Sequence, residues 1–177
     1  MEFTRATVPQ IPAVLDVIGQ CREMLTAQGI LQWDAAYPNR AFFQQATDDG
    51  TLFVLMEAEV VRGVVVLDQW QPPEWDAINW GPSTGRCLVP HALAVAPAIQ
   101  GRGYGTTLLG FCEAFAGAGG YESIRLDAYS GNDAALRLYE RHGYSLRGEI
   151  ALTVKPEGHE RYLCYEKLLA APAGAAE

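Results

Sequence analysis

The chain's 177 residues are 49% hydrophobic and 19% charged, and 13 Lys and Arg against 21 Asp and Glu leave a formal net charge of −8. A chain of this length buries roughly 70% of the surface it exposes when unfolded, enough for one core without metal or disulfide staples. Nowhere do even three Lys or Arg follow one another, which argues against nucleic acid and anionic membranes as partners, since both select a basic stripe.

Residues 2–7 alternate as a short strand does, and Thr7 with Gln10 makes a capping-box pattern that opens a helix. Ile11, Val14, Leu15, Ile18, Cys21 and Leu25 then recur at helical spacing as far as Gly29. A second helix is predicted from Asn39, carrying Phe42 and Phe43. The β-rich runs 52–56 and 63–67 flank Glu57, Ala58 and Glu59 as a hairpin. Residues 69–86 hold three Trp and three Pro without a period and read as a long loop, the kind more often functional than idle. A strand over 88–95 stops at Pro97, and a Gly-rich turn over 100–105 opens a helix carrying Leu108, Leu109, Cys112 and Phe115. A strand over 124–128, a helix over 132–142 ended by Gly143, and strands over 144–154 and 161–168 complete the chain. Residues 170–177, rich in Ala, predict a disordered tail behind a single domain of residues 1–169. The order predicts an α/β (α+β) fold: a mixed sheet with one parallel pair where the helix after Gly103 crosses over.

Cys21, Cys87, Cys112 and Cys164 are scattered without metal spacing, as buried thiols of a reducing compartment would be. The N-terminus lacks the apolar region of a signal peptide and no stretch approaches ~18 apolar residues. A cytoplasmic protein without a metal is the expectation.

The glycine turn carries the chemistry. Backbone N–H groups at the start of a helix that follows a strand suit a pyrophosphate, and glycine lets phosphates approach without a Cβ in the way. Arg102 could add a charge-assisted contact. A bare Gly-x-Gly is weak, arising about once by chance in a chain this long. A P-loop needs a Lys that is absent here, and a dinucleotide fingerprint needs the G-x-G-x-x-G spacing and a later acidic residue, which fit poorly.

The whole run from His91 through Leu93, Ala94, Val95, Pro97 and Gln100 to Gly105, followed by Asn132 and then Leu138-Tyr139-Glu140-Arg141-His142-Gly143-Tyr144, resembles the GCN5-related N-acetyltransferase (GNAT) superfamily. The family's Q/R-x-x-G-x-G/A signature corresponds to Gln100, Gly103 and Gly105. The resemblance covers residues 88–144 closely. It implies a GNAT fold with about seven mostly antiparallel strands, one splayed parallel pair and four flanking helices, and acetyl-CoA as donor, held where the 88–95 strand splays from the 124–128 strand. The main chain of Leu93, Ala94 and Val95 would hold the pantetheine arm and polarise the thioester carbonyl, which is oxyanion-type stabilisation. Gln100, Gly101, Arg102, Gly103, Tyr104, Gly105 and Thr106 would take the pyrophosphate. Asn132 and Tyr139, seven residues apart and thus on one helix face, would serve the pantetheine and the sulfur.

Tyr139 is the expected general acid for the leaving thiolate, against the alternative of a core tyrosine. His91 is the candidate base, relaying a proton from the acceptor ammonium through water. It stands two residues before Leu93 on one strand face, and the arylalkylamine members of the superfamily carry a His at the corresponding place. Asp127 is a reserve base. Trp33 and Tyr37, with Asp34 between them, are expected on the acceptor side, and Trp70, Trp75, Trp80 and Asp76 could extend that wall. Ordinary packing or a dimer contact is the alternative for each Trp. The function expected is acetyl transfer to a primary amine of a small molecule by direct attack in a ternary complex. The alternatives are a CoA-binding regulatory module without turnover and an acetylase of peptide or protein N-termini. A homodimer is an expectation by analogy alone. Residues 1–95 hold 5 basic and 11 acidic side chains (net −6) and residues 96–177 hold 8 and 10 (net −2), an asymmetry that would draw cationic acceptors.

Overall fold

A computed structural model describes residues 1–81 and 85–169; the tail expected over 170–177 lies outside the described residues. Alternating and continuous apolar runs become the strands β1 (Glu2–Arg5), β2 (Leu52–Glu57), β3 (Val60–Asp68), β4 (Cys87–Val95), β5 (Ser123–Tyr129), β6 (Ser145–Ala151) and β7 (Arg161–Leu168). The segments of helical period become α1 (Ile11–Ala27), α2 (Arg40–Asp48), α3 (Tyr104–Ala118) and α4 (Asp133–Arg141). Hydrogen-bonded neighbours run β1-β2-β3-β4-β5-β7-β6, and β4 with β5 is the parallel pair in a mostly antiparallel sheet. The fold class predicted from the sequence is thereby observed. The chain divides into two compact units, 1–67 with 91–109 and 68–90 with 110–177, so that β4 changes unit after Pro90 and α3 after Leu109.

In the first unit, Gln10 reaches back with Oε1 to the Thr7 N–H at 2.9 Å, and a single 3-10 turn over Val8–Gln10 precedes α1. The buried stripe of α1 is Ile11, Val14, Val17, Ile18, Cys21 and Leu25; Val17 takes a place the sequence gives to Leu15. Asn39 caps α2 by accepting the Phe42 N–H at 3.0 Å. The hairpin strands extend further than the apolar runs suggest, because Ala58 and Glu59 alone make the turn, at φ +46° and +63°. Two left-handed residues form a type I′ turn, whose twist matches that of paired strands. A register shift between Leu55 and Met56 absorbs one extra residue of β3.

In the second unit, β5 pairs with β7 at seven positions from Ser123↔Leu168 to Tyr129↔Tyr162. The last hairpin is shorter than 144–154, since β6 ends at Ala151 and the chain turns through Leu152 and Pro156. Trp75, Cys87, Val89, Ile150, Tyr162 and Cys164 form a buried apolar cluster, with Ile78 and Trp80 packed against it. The 69–86 loop therefore contributes core to this unit. Within that loop, residues Pro73–Ala77 form a 3-10 turn.

Candidate active site

The first unit holds the second half of β4 and the glycine turn. Pro90, at the unit boundary, has no N–H to donate, and Ala92 adopts φ +50°, a left-handed conformation that costs an L-residue about 1–2 kcal/mol. The parallel register of β4 on β5 comprises Cys87↔Ser123 and Leu88↔Ile124, so it ends ahead of both residues. The pleat rule that puts His91 and Leu93 on one face presupposes an extended residue between them, and Ala92 removes that premise. His91 and Leu93 are half-buried while Ala92, Ala94 and Val95 are buried.

The end of β4 is pinned through one carbonyl. Val95 O accepts the Cys21 thiol at 3.2 Å and the Gln100 side-chain amide at 2.9 Å. The signature Gln100 thus fastens the turn to the strand with its own side chain. Burial pushes the Cys21 thiol up to about 11, so it remains a protonated donor at neutral pH. Gly101 and Gly103 adopt φ +76° and +87°, with nothing within 4 Å of where a Cβ would stand; backbone conformation requires glycine there, and space does not. The Gly103 carbonyl receives the Thr107 N–H at 3.0 Å and the Thr107 hydroxyl at 3.2 Å. The α3 first turn, Tyr104, Gly105 and Thr106, presents N–H groups that have no intrahelical acceptor. Arg102 is exposed beside them. This open, donor-rich cradle fits a pyrophosphate. The Tyr104 hydroxyl is engaged elsewhere, donating to Glu57 Oε1 at 2.6 Å; that bond raises its pKa.

Trp33 and Tyr37 are both half-buried in the same unit. Asp34 shapes the turn between them, its Oδ1 accepting the Ala36 and Tyr37 N–H groups at 2.7 and 2.9 Å. Tyr37 packs edge-on against Phe42, ring centroids 5.1 Å apart.

Asn132 and Tyr139 lie in the second unit. Asn132 is the cap of α4 rather than its first residue, Oδ1 accepting the Ala135 N–H at 3.2 Å, so helical spacing does not run through it to Tyr139. Tyr139 is 8% exposed between Tyr144 and Tyr165, with ring centroids at 5.9 and 6.1 Å. Its pKa is raised, first by burial and then by neighbouring Cys112 and Asp127; the phenol stays an acid well above neutrality. Asp127 receives the Trp75 indole N–H on Oδ2 at 3.0 Å. Trp75, considered as possible acceptor wall, is 3% exposed and belongs to the core; Trp70, at 63%, is exposed.

Sequence reasoning missed two groups here. Pro90 inside a strand was a usable signal of a ladder that stops. The other had no local signal. Glu166, buried on β7, accepts Arg125 Nε at 2.9 Å, Arg147 Nε at 2.9 Å and the Gly81 N–H at 2.6 Å. Among the described residues no three His, Cys, Asp or Glu gather as metal ligands do, and no helix is long and apolar enough to cross a membrane.

The acetyltransferase (GNAT) family model matches residues 18–144. No curated protein sequence is significantly similar. Among solved structures, a GNAT-family acetyltransferase from Streptococcus agalactiae 2603 superposes with TM-score 0.82 at 21% identity, over 96% of this chain and 95% of that one. One from Listeria monocytogenes 4b F2365 gives 0.70 at 20%, over 95% and 94%. The ribosomal-protein-S18-alanine N-acetyltransferase of Escherichia coli gives 0.68 at 14%, over 99% and 98%. At these identities the likeness is one of fold.

Proposed function

The chain belongs to the acetyltransferase (GNAT) family, and we propose on that premise that it transfers acetyl from acetyl-CoA to a primary amine of a small molecule, by direct attack in a ternary complex. The observation that carries this reading is the left-handed pair Gly101 and Gly103 ahead of α3, open where side chains would stand. That cradle suits the pyrophosphate of CoA, with Arg102 adding charge. Gly105 and Thr106 offer main-chain donors, Leu93, Ala94 and Val95 main-chain partners for the pantetheine, and Asn132 a further polar group. CoA supplies an activated acyl thioester; the chain's own residues supply the protons and the positioning.

Tyr139 holds a proton on its phenol that the leaving thiolate takes. His91 relays the proton that the acceptor ammonium must lose, since an alkylamine near pKa ~10 is almost wholly protonated at neutral pH. Trp33 and Tyr37 offer aromatic surface to the acceptor.

Acceptor-dependent thiol release from acetyl-CoA, run over a panel of alkylamines, arylalkylamines and alanyl peptides, tests this. Release with the small amines is the expected result. CoA binding without release for any acceptor would instead indicate a regulatory module, and release with peptides alone would indicate an N-terminal acetylase.

A further inference from the structure

The glycine turn has little packing of its own. Residues 100–103 are exposed, and Gly101 and Gly103 bring no side chain to hold it in place. Two side-chain bonds fasten it instead, one at each end. The Gln100 amide reaches Val95 O at 2.9 Å, and the Tyr104 hydroxyl donates to Glu57 Oε1 at 2.6 Å. The first bond ties the turn to the strand before it. The second ties the start of α3 to a residue of β2 that is 47 positions away and outside the signature.

Glu57 is itself well fixed. It ends β2, paired with Val60 across the left-handed turn of Ala58 and Glu59. Its other oxygen, Oε2, lies 3.4 Å from Arg62 Nε. Leu55 pairs with Gly63 and Met56 with Val61, which leaves Arg62 as the bulged residue of β3, and a bulge re-aims a side chain. The Arg62 carbonyl accepts the Ala96 N–H at 2.9 Å. One turn along α3 from Tyr104 and on the same face, Leu108 is buried, and a Cβ on Gly63 would stand 3.5 Å from its Cδ2 and 3.1 Å from Ala94 O. The hairpin thus meets α3 at Tyr104 and Leu108, and the chain around the end of β4 at Ala94 and Ala96.

A carboxylate beside a phosphate site opposes the ligand by its charge. Arg62 offsets that charge, and both Arg62 and Arg102 are near enough to counter part of the rise that the Glu57 bond gives the Tyr104 pKa. What remains is the effect on geometry. A hydrogen bond to a charged acceptor that fixes an exposed turn leaves less of it to be ordered when a ligand binds.

We infer that Glu57 is a positioning residue of the pyrophosphate cradle, acting through the Tyr104 hydroxyl to hold the main-chain donors of the first turn of α3 toward the phosphates of CoA. The inference rests on the CoA reading of that cradle, yet binding is measured without turnover.

Calorimetric titration of CoA, and of pantetheine as the same thiol arm without phosphates, tests it on the full chain. Tyr104→Phe removes the donor and is expected to weaken CoA about tenfold while leaving pantetheine unchanged. Glu57→Ala and Glu57→Gln lose the same charge, and only the glutamine keeps an oxygen for the Tyr104 hydroxyl. Glu57→Ala is therefore expected to weaken CoA as Tyr104→Phe does, and Glu57→Gln to bind CoA at least as tightly as the unaltered protein. Equal CoA affinity in Glu57→Ala and Glu57→Gln overturns the inference, as does undiminished CoA binding by Tyr104→Phe. A loss shared in equal proportion by CoA and pantetheine overturns it too, since that is what general damage to the unit would give. An unaltered protein that binds no CoA removes the inference and the CoA reading together. Thiol release separates the two claims otherwise: release with undiminished Tyr104→Phe affinity for CoA removes the positioning role alone, and CoA binding that depends on Tyr104 and Glu57 without release for any acceptor removes the transferase reading alone.

Discussion

Burial holds the Tyr139 phenol protonated across the neutral and mildly alkaline range, and that is the state a donor of protons to a thiolate must have. Because its pKa is raised, the acid form outlasts the ordinary tyrosine value near 10. The alkaline limb of kcat is accordingly expected to lack a descent from this group below about pH 10. Tyr139→Phe is expected to lower kcat by ~10²-fold with KM for acetyl-CoA unchanged; steady-state kinetics showing an unaltered kcat would remove the assignment. The place of Tyr139 on α4 was legible in the sequence because its spacing from Gly143 and Tyr144 is local. The facing of His91 was not, since it depends on Ala92 at φ +50°, and alanine gives no hint of a left-handed backbone. The Trp75–Asp127 bond was illegible for another reason: it joins residues 52 positions apart, beyond any pattern of period 2 or 3.6.

The loop over 69–86 shows the same limit for an element. Three Trp and three Pro without a period identify a loop, but its anchors come from β5, β6 and β7. Gly81 donates its N–H to Glu166, 85 residues away, and a Cβ on Gly81 would meet Arg147 Nη2 and Glu166 Oε2, each at 2.6 Å, so a side chain there would push the ends of that ion pair aside. Gln71 accepts Arg125 Nη1 and Trp75 fills the core. Removing the charge at Glu166 strands two guanidinium groups, Arg125 with 12% and Arg147 with 27% of its side chain exposed. Glu166→Gln is therefore expected to destabilise the protein by about 3–5 kcal/mol in urea unfolding. A loss below about 1 kcal/mol would mean that the cluster behaves as a surface pair does. Elements set by local chemistry, by contrast, were read close to their observed bounds: α2 from its Asn39 cap, α3 from the glycines before it, and α4 from Asn132 and Gly143.

Across the whole molecule the element order was enough to predict a mixed sheet with one parallel pair, because parallel neighbours need a long crossover such as α3 between β4 and β5. The division into two compact units left no mark in composition. A property of the molecule as a whole follows from its thiols. Burial raises Cys112 and Cys164 to about 12 and Cys21 to about 11, against 9.0 when unburied. A group whose folded pKa is raised stabilises the fold fully below its unfolded value and loses that contribution as pH climbs through the folded one. The urea midpoint is thus expected to be level near pH 7 and to fall from about pH 9 upward, less steeply in Cys112→Ala; a midpoint level to pH 11 would contradict these shifts. The roles proposed for Tyr139 and His91 both depend on acyl transfer. Its most direct test follows an isotopically labelled acetyl group from acetyl-CoA in the presence of phenethylamine by mass spectrometry. The expected result is label on the amine, in equal amount to the CoA freed, with none on the protein. Labelled acetyl-CoA left intact alongside unmodified amine, in a protein that binds CoA, would contradict it.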